Sequence, residues 1–127
     1  MHLPYKVLIV EDDNAMAQMC AKLIRRQGHS ALIAGSCQDA LTIVRATGDV
    51  DAVLSDVQMP EMTGLELLAH LREFSAALPV ILMTGYTTAD GSNAAMSLGA
   101  TDYISKPFDA DTLIGSLERA MRVRATL

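Results

Sequence analysis

Sulfur and aromatic chemistry are scarce in this sequence. Its 127 residues include no tryptophan, three tyrosines, two phenylalanines and two cysteines. The cysteines, Cys20 and Cys37, show neither the spacing of metal ligands nor a disulfide framework. Cys20 falls on the apolar stripe of a predicted helix, which is typical of a small buried hydrophobic residue. The three histidines are widely scattered, so no histidine–cysteine metal site is predicted.

Long hydrophobic runs are also missing. No apolar run approaches the roughly 20 residues that a helix needs to cross a bilayer. The N-terminus, Met1-His2-Leu3-Pro4, lacks a charged segment followed by an apolar one, so no secretory signal is predicted. We therefore expect no membrane partner and a cytoplasmic location.

Positive charge is in deficit. Ten lysines and arginines face 15 acidic residues, and the net charge is −5. The densest basic group, Arg119, Arg122 and Arg124, is interpreted as a solvated helix end that complements the helix dipole. An acidic domain with scattered bases is a poor nucleic-acid binder, so no direct nucleic-acid contact is predicted.

What the sequence does contain is an alternation of short apolar runs and helical patterns. With 127 residues, 50% of them hydrophobic, the chain fits a single domain over 1–127, with a core over about 5–123. The predicted strands are Tyr5–Val10, Ser30–Ala34, Ala52–Asp56, Pro79–Met83 and Thr101–Ser105. The predicted helices are Asn14–Gln27, Gln38–Ala46, a third entered through Gly64, Thr88–Leu98 and Asp109–Val123. Strands that are apolar throughout indicate an α/β fold, a doubly wound five-stranded parallel sheet with five helices.

Polar residues stand where four of these strands end. Acids occur after the first strand, in the run Glu11-Asp12-Asp13, and at the end of the third, at Asp56. Thr84 and Lys106 follow the fourth and fifth strands. Since the carboxyl ends of parallel strands share one edge, these groups are expected to converge. Clustered carboxylates with a backbone carbonyl and waters are typical of a Mg²⁺ site.

This set of groups suits phosphoryl transfer. An ionised aspartate can attack phosphorus, and a divalent cation and a lysine can neutralise the charge that develops. Water could later remove the phosphoryl group, while no general base for a separate substrate is evident, so no enzyme beyond this self-catalysed chemistry is predicted. Asp13 or Asn14 is expected to cap the first helix. The acidic pair could be Glu11-Asp12 or Asp12-Asp13.

The chain resembles the receiver domain of bacterial two-component response regulators. The resemblance runs from about Lys6 to Met121 and is carried by motifs in the right order. They are Val7-Leu8-Ile9-Val10-Glu11-Asp12-Asp13, Leu54-Ser55-Asp56-Val57-Gln58-Met59-Pro60, Gly64-Leu65-Glu66-Leu67-Leu68, Pro79-Val80-Ile81-Leu82-Met83-Thr84-Gly85, and Gly99-Ala100-Thr101-Asp102-Tyr103-Ile104-Ser105-Lys106-Pro107-Phe108.

The resemblance implies a flavodoxin-like strand order 2-1-3-4-5 and a role for each site residue. Asp56 would accept a phosphoryl group from a histidine kinase. The ligands of Mg²⁺ (or Mn²⁺) would be Glu11, Asp12, Asp56 and the backbone carbonyl of Gln58. Thr84 and Lys106 would be the catalytic partners of the phosphoryl group. The Lys106–Pro107 bond is expected to be cis, although only about 5–6% of X–Pro bonds are.

The resemblance also implies a switch. Thr84 and Tyr103 would be the switch residues, while Gln58 and Tyr86 would tune the lifetime of the phosphate. The output surface would be the fourth helix, fifth strand and fifth helix. Weak helix formers over Gly91-Ser92-Asn93 fit a mobile fourth helix.

Expected partners are a sensor histidine kinase or phosphotransfer protein, an effector domain outside this chain, and a second copy in a phosphorylation-dependent homodimer. The segments Gly64–Leu68 and Met83–Tyr86 are similar to receivers fused to nitrogen-regulatory transcriptional activators.

The sequence also bears on three other functions. A flavin or nucleotide module is disfavoured because the acids after the first strand would repel phosphate, and a phosphatase because its D-x-D pattern is lacking. A receiver-like interaction module without phosphotransfer is the remaining alternative.

Overall fold

The computed structural model describes residues 4–85 and 88–125, with side chains described up to residue 122. Within these residues five strands alternate with five helices. The strands are β1 (Lys6–Val10), β2 (Ser30–Ala34), β3 (Ala52–Asp56), β4 (Val80–Thr84) and β5 (Asp102–Ser105). The helices are α1 (Asn14–Arg26), α2 (Cys37–Thr47), α3 (Gly64–Phe74), α4 (Ala89–Ser97) and α5 (Ala110–Ala125). None of the helices in the described residues combines the length and apolar character that crossing a bilayer requires.

The strands form one parallel sheet in the order β2-β1-β3-β4-β5, which confirms the predicted fold class and strand order. The chain passes outward from β1 to β2 and then returns across β1 to β3. Strand order therefore reverses between β1 and β3. The carboxyl ends of these two strands flank a crevice where doubly wound sheets place their ligands.

Each strand is apolar along its length because both faces of the sheet are covered. In β1, Val7 and Ile9 face the layer that holds α1 and α5, whereas Leu8 and Val10 face the layer of α2, α3 and α4. Cys20 is fully buried in the first layer, as predicted. The residues shared by the second layer include Ala40, Leu41, Val44, Leu67, Leu68, Leu71 and Ala95. These two layers fix the sheet and leave its carboxyl edge open for the site.

The ends of the elements differ from the predictions by at most two residues. Two predicted helix starts are caps: the Thr88 side chain accepts from the Gly91 N–H, and Asp109 Oδ1 accepts from the Thr112 N–H. The fourth strand begins one residue later than predicted and includes Thr84, which lies opposite Ser105 in the ladder. Capping residues have extended backbone and are therefore excluded from the helices that they begin.

Candidate metal centre

Three carboxylates meet at the carboxyl edge of the sheet. Glu11 directly follows β1, and its N–H donates to the Ala34 carbonyl at the end of β2 (3.1 Å). Asp12 is the next residue, and Asp56 ends β3. One carboxylate oxygen from each of Glu11, Asp12 and Asp56 lies within 4.8 Å of the others. Glu11 and Asp56 are only 3% and 7% exposed, so their charges are poorly screened by water.

Lys106 bridges two of these acids. Its Nζ lies 3.1 Å from Glu11 Oε2 and 3.2 Å from Asp56 Oδ2. Lys106 follows β5, its N–H donates to the Thr84 carbonyl (2.7 Å), and the bond to Pro107 is cis, as predicted. Burial alone would lower the pKa of the Lys106 ammonium, but the hydrogen bond to Glu11 and the charges of Asp56 and Glu11 outweigh it, so the pKa is raised. One cation facing three carboxylates leaves the site negative.

Glu11 is the most deeply buried of the three acids. Burial raises the pKa of its carboxyl above the usual value, and the charge of Asp56 raises it further. The hydrogen bond and charge of Lys106 act in the opposite direction but do not cancel the shift in the pKa. Ionising Glu11 therefore costs free energy that a bound cation would offset.

The atoms of Glu11, Asp12 and Asp56 that could bind a metal are all carboxylate oxygens. Oxygen ligands fit a hard divalent cation better than a soft one. Asp13 does not join them. Its Oδ1 accepts from the N–H groups of Ala15 (3.0 Å) and Met16 (3.3 Å), which confirms the predicted cap on α1. The geometry thus groups Glu11 with Asp12, the first of the two pairs that the sequence left open.

The residues after Asp56 are held close to it. The Gln58 N–H donates to Asp56 Oδ1 (3.1 Å), and the Val57 N–H donates to the Met83 carbonyl (2.9 Å). Gly64 begins α3 against the same backbone, and a Cβ on Gly64 would lie 2.6 Å from the Asp56 carbonyl oxygen. Only glycine allows the two backbones to lie this close. The sequence predicted Gly64 as the entry to the third helix but did not reveal this constraint.

Two of the remaining predicted residues lie in the described strands β4 and β5. Thr84 ends β4 and is 1% exposed. Tyr103 lies opposite Leu82 in β5, is half-buried and packs against the layer of α2, α3 and α4. Tyr86, the second residue predicted to tune phosphate lifetime, lies outside the described residues.

Two long-range contacts were missed by the sequence analysis. Arg72 near the end of α3 donates to the carbonyls of Ser75 (3.2 Å), Leu78 (2.6 Å) and Gly99 (2.7 Å), so it joins three chain segments. Glu61 accepts from the N–H of Cys37 at the start of α2 (2.7 Å). Gly99 lies 27 positions from Arg72 and Cys37 lies 24 positions from Glu61, so no local pattern could reveal either of these contacts.

Comparison with known proteins gives a consistent family. The family model described as "Response regulator receiver domain" matches residues 7–118. The chain is 36% identical over 115 residues to the transcriptional regulatory protein ZraR of Escherichia coli K12, covering 91% of this chain and 26% of ZraR. It is also 36% identical over 115 residues to the DNA-binding transcriptional regulator NtrC of Proteus hauseri, covering 91% of this chain and 24% of NtrC.

A solved structure shows the same fold over nearly the whole chain. The receiver domain protein of Clostridium thermocellum superposes with a TM-score of 0.91 at 27% identity, covering 96% of this chain and 98% of that one. The chain spans about a quarter of the length of ZraR and NtrC, 26% and 24% respectively. The similarity to these two regulators is therefore confined to one part of each.

Proposed function

Because the chain belongs to the response regulator receiver family of two-component systems, we propose that Asp56 is its phosphoacceptor and Mg²⁺ its cofactor. Receiver domains are phosphoacceptors rather than enzymes in the ordinary sense. The observation that carries the assignment is the convergence of Glu11, Asp12 and Asp56, with Lys106 between two of them. The chain would form one receiver domain, with a core over about residues 5–123.

Different residues of the chain would bind the metal and form the bond to phosphorus. Glu11, Asp12, Asp56 and the Gln58 carbonyl would hold Mg²⁺ or Mn²⁺, which share a preference for oxygen ligands. When bound, the cation supplies charge neutralisation to the transferred phosphoryl oxygens. An Asp56 carboxylate oxygen forms the new bond to phosphorus as the bond to the donor's histidine nitrogen breaks.

Lys106 and Thr84 complete the acceptor. The Lys106 ammonium already faces Asp56 Oδ2 at 3.2 Å and would pair with the phosphoryl oxygens. The Thr84 hydroxyl would donate to one of those oxygens, and Tyr103 would follow its movement. Gln58, exposed beside Asp56, and Tyr86 would set how readily water reaches the acyl phosphate.

The partners are proposed on the same basis. A sensor histidine kinase or a phosphotransfer protein would supply the phosphoryl group, in the cytoplasm. The surface formed by α4, β5 and α5 would be the output, acting on an effector domain or on a second copy of the chain. Similarity to NtrC and ZraR favours transcription as the final output.

The test is the intact mass of the protein after incubation with Mg²⁺ and acetyl phosphate. We expect a gain of one phosphoryl group that disappears without metal and in Asp56→Asn. Asp13→Asn is the matched control, since asparagine also caps helices and Asp13 faces α1 rather than the site. Labelling that persists in Asp56→Asn would reject Asp56 as the phosphoacceptor. A folded wild-type protein that stays unlabelled with acetyl phosphate and with a phosphorylated kinase domain would favour the interaction module without phosphotransfer.

A further inference from the structure

The connection between β3 and α3, residues 57–63, is fastened to the start of α2. Glu61 Oε1 accepts a hydrogen bond from the N–H of Cys37 (2.7 Å). The Cys37 thiol in turn donates to the carbonyl of Met62 (3.4 Å). Cys37 is fully buried, so two consecutive residues of the connection are hydrogen-bonded to a residue of the core.

Glu61 suits this position chemically. Cys37 is the first residue of α2, and the first N–H groups of a helix have no partner within it. The local Ser36 cap satisfies a different group, the N–H of Asp39 (3.1 Å). A carboxylate at a helix N-terminus forms a charge-assisted hydrogen bond and also interacts favourably with the helix dipole. Glu61 therefore caps α2 from another part of the chain.

The same connection adjoins the site. It directly follows Asp56, the last residue of β3, and the Gln58 N–H donates to Asp56 Oδ1 (3.1 Å). Its far end is closed by the bond from the Gly64 N–H to the Val57 carbonyl (2.8 Å). Met59 is buried, whereas Gln58 and Glu61 are exposed. The contact of Glu61 with α2 thus holds an exposed part of the connection to the core, beside the bond to the Met62 carbonyl and the buried Met59.

A second observation places α2 near the acids. The pKa of the Cys37 thiol is raised to about 11, chiefly by burial, then by the charges of Glu61 and Glu66, and finally by that of Asp56. The charge of Asp56 therefore acts weakly on the start of α2.

We propose that Glu61 is a positioning residue for this connection, fixing Gln58 beside Asp56 and thereby strengthening Mg²⁺ binding without being a ligand. The inference rests on the proposed function for the identity of the cation. Removing Glu61 keeps every proposed metal ligand. The connection would, however, have to be ordered when Mg²⁺ binds, and the free energy that this ordering costs lowers the affinity.

The experiment compares Glu61→Ala, Glu61→Gln and Asp39→Ala with the wild type by amide NMR. Asp39 is the matched control, since it is an exposed acid in the first turn of α2 that lies outside the connection. Each protein is titrated with Mg²⁺, and amide exchange at Gln58 is measured without metal. We expect Glu61→Ala to weaken Mg²⁺ binding by about 10-fold, the lower end for residues that support metal ligands. It should also speed exchange at Gln58, whereas Asp39→Ala should change neither.

The Glu61→Gln variant separates position from charge. Glutamine keeps an oxygen that can accept from Cys37, so it should retain most of the affinity and the slow exchange at Gln58. An affinity in Glu61→Ala equal to that of the wild type would overturn the proposal. Equal losses in Glu61→Gln and Glu61→Ala, with Gln58 exchange unchanged, would assign the effect to charge and also overturn it. Failure of the wild type to bind Mg²⁺ would instead reject the proposed function, and Gln58 exchange would still decide whether Glu61 positions the connection.

Discussion

The Tyr103 hydroxyl lies close to Gly91, where a side chain on α4 would crowd it. A Cβ on Gly91 in α4 would lie 3.0 Å from this hydroxyl and 3.0 Å from Thr88 Oγ1. Contacts this close oblige a neighbour to move. At the residue scale, Gly91 therefore permits the observed placement of the predicted switch residue.

The effect of Gly91→Ala on the free energy of unfolding should depend on the hydroxyl of Tyr103. Alanine stabilises a helix relative to glycine by about 1 kcal/mol. Gly91→Ala should stabilise the fold most in the Tyr103→Phe background. With Tyr103 present, the close contact between the new Cβ and the hydroxyl should cancel about 0.5–1 kcal/mol of that stabilisation. The contact with Thr88 is the same in both backgrounds and cancels. Urea unfolding of the four proteins measures the coupling, and additive free energies of unfolding would contradict the contact.

At the scale of the element, α4 is the least anchored of the helices whose side chains are fully described. Ala95 is its one buried residue, whereas α3 buries Gly64, Leu67, Leu68 and Leu71. The exposed Met96 and Leu98 add apolar surface at its C-terminal end. Few buried contacts imply local opening at low free energy, which agrees with the expectation of a mobile fourth helix.

Hydrogen exchange should show this difference directly. Amides of 92–97 in α4 should exchange faster than amides of 67–74 in α3, because local opening of α4 exposes less apolar surface. Mass spectrometry of peptides from the two helices, under native conditions, measures both in one sample. Equal protection of the two helices would contradict the weaker anchoring of α4.

One carboxylate of β5, that of Asp102, links this strand to α5 through hydrogen bonds. Asp102 Oδ2 accepts from Ser116 Oγ (2.6 Å) and Arg119 Nη2 (3.3 Å), while Oδ1 accepts from the Tyr103 N–H (2.8 Å). Burial would raise the pKa of Asp102, but these hydrogen bonds and the charge of Arg119 outweigh it and lower the pKa. A group with a lowered folded-state pKa stabilises the fold above its unfolded-state pKa, and this contribution is lost as pH falls through the folded-state value.

Asp102→Asn should therefore be less stable than the wild type at pH 7, by about 1 kcal/mol because the group is partly exposed. The difference should shrink as the pH falls below about 4, the usual pKa of an unfolded aspartate, and should vanish below the lowered folded-state pKa, where the folded wild-type carboxyl is protonated. Urea unfolding at several pH values gives the curve. A difference that stays constant down to pH 3 would show that the charge of Asp102 contributes nothing.

At the scale of the whole molecule, the fold concentrates negative charge at one edge of the sheet. Glu11, Asp12 and Asp56 are brought within 4.8 Å by the fold, and Lys106 compensates only part of their repulsion. In the unfolded chain Asp56 and Lys106 separate from the pair Glu11-Asp12. A ligand that binds only the folded state must therefore raise the free energy of unfolding.

Mg²⁺ at 100 times its Kd should raise the free energy of unfolding by about 2.7 kcal/mol. Asp12→Asn should lose most of this gain, whereas Asp13→Asn should keep it because Asp13 caps α1. Denaturation with and without Mg²⁺, at matched ionic strength, measures the gain. An equal gain in both variants would place the cation elsewhere.

The sequence alone determined the parallel sheet, the order of its elements and the identity of the strand-end residues. These depend on local information, because apolar runs define strands and the residue after each run lies at the carboxyl edge. The cap at Asp13 could also be predicted, although the sequence offered Asn14 as well. Family resemblance then supplied the strand order, which the structure confirms, and the proposed roles of Asp56, Thr84 and Lys106.

Only the tertiary structure decided which groups meet and what holds them. Lys106 contacts Glu11 across 95 positions of sequence, and Gly64 approaches Asp56 too closely for any side chain. Glu61 reaches Cys37, and Arg72 reaches Gly99, across 24 and 27 positions. The placement of Glu11 rather than Asp13 beside Asp56 belongs here too. Such contacts depend on how the helices pack against the sheet, and the periodicity of a single chain segment carries no information about a distant partner.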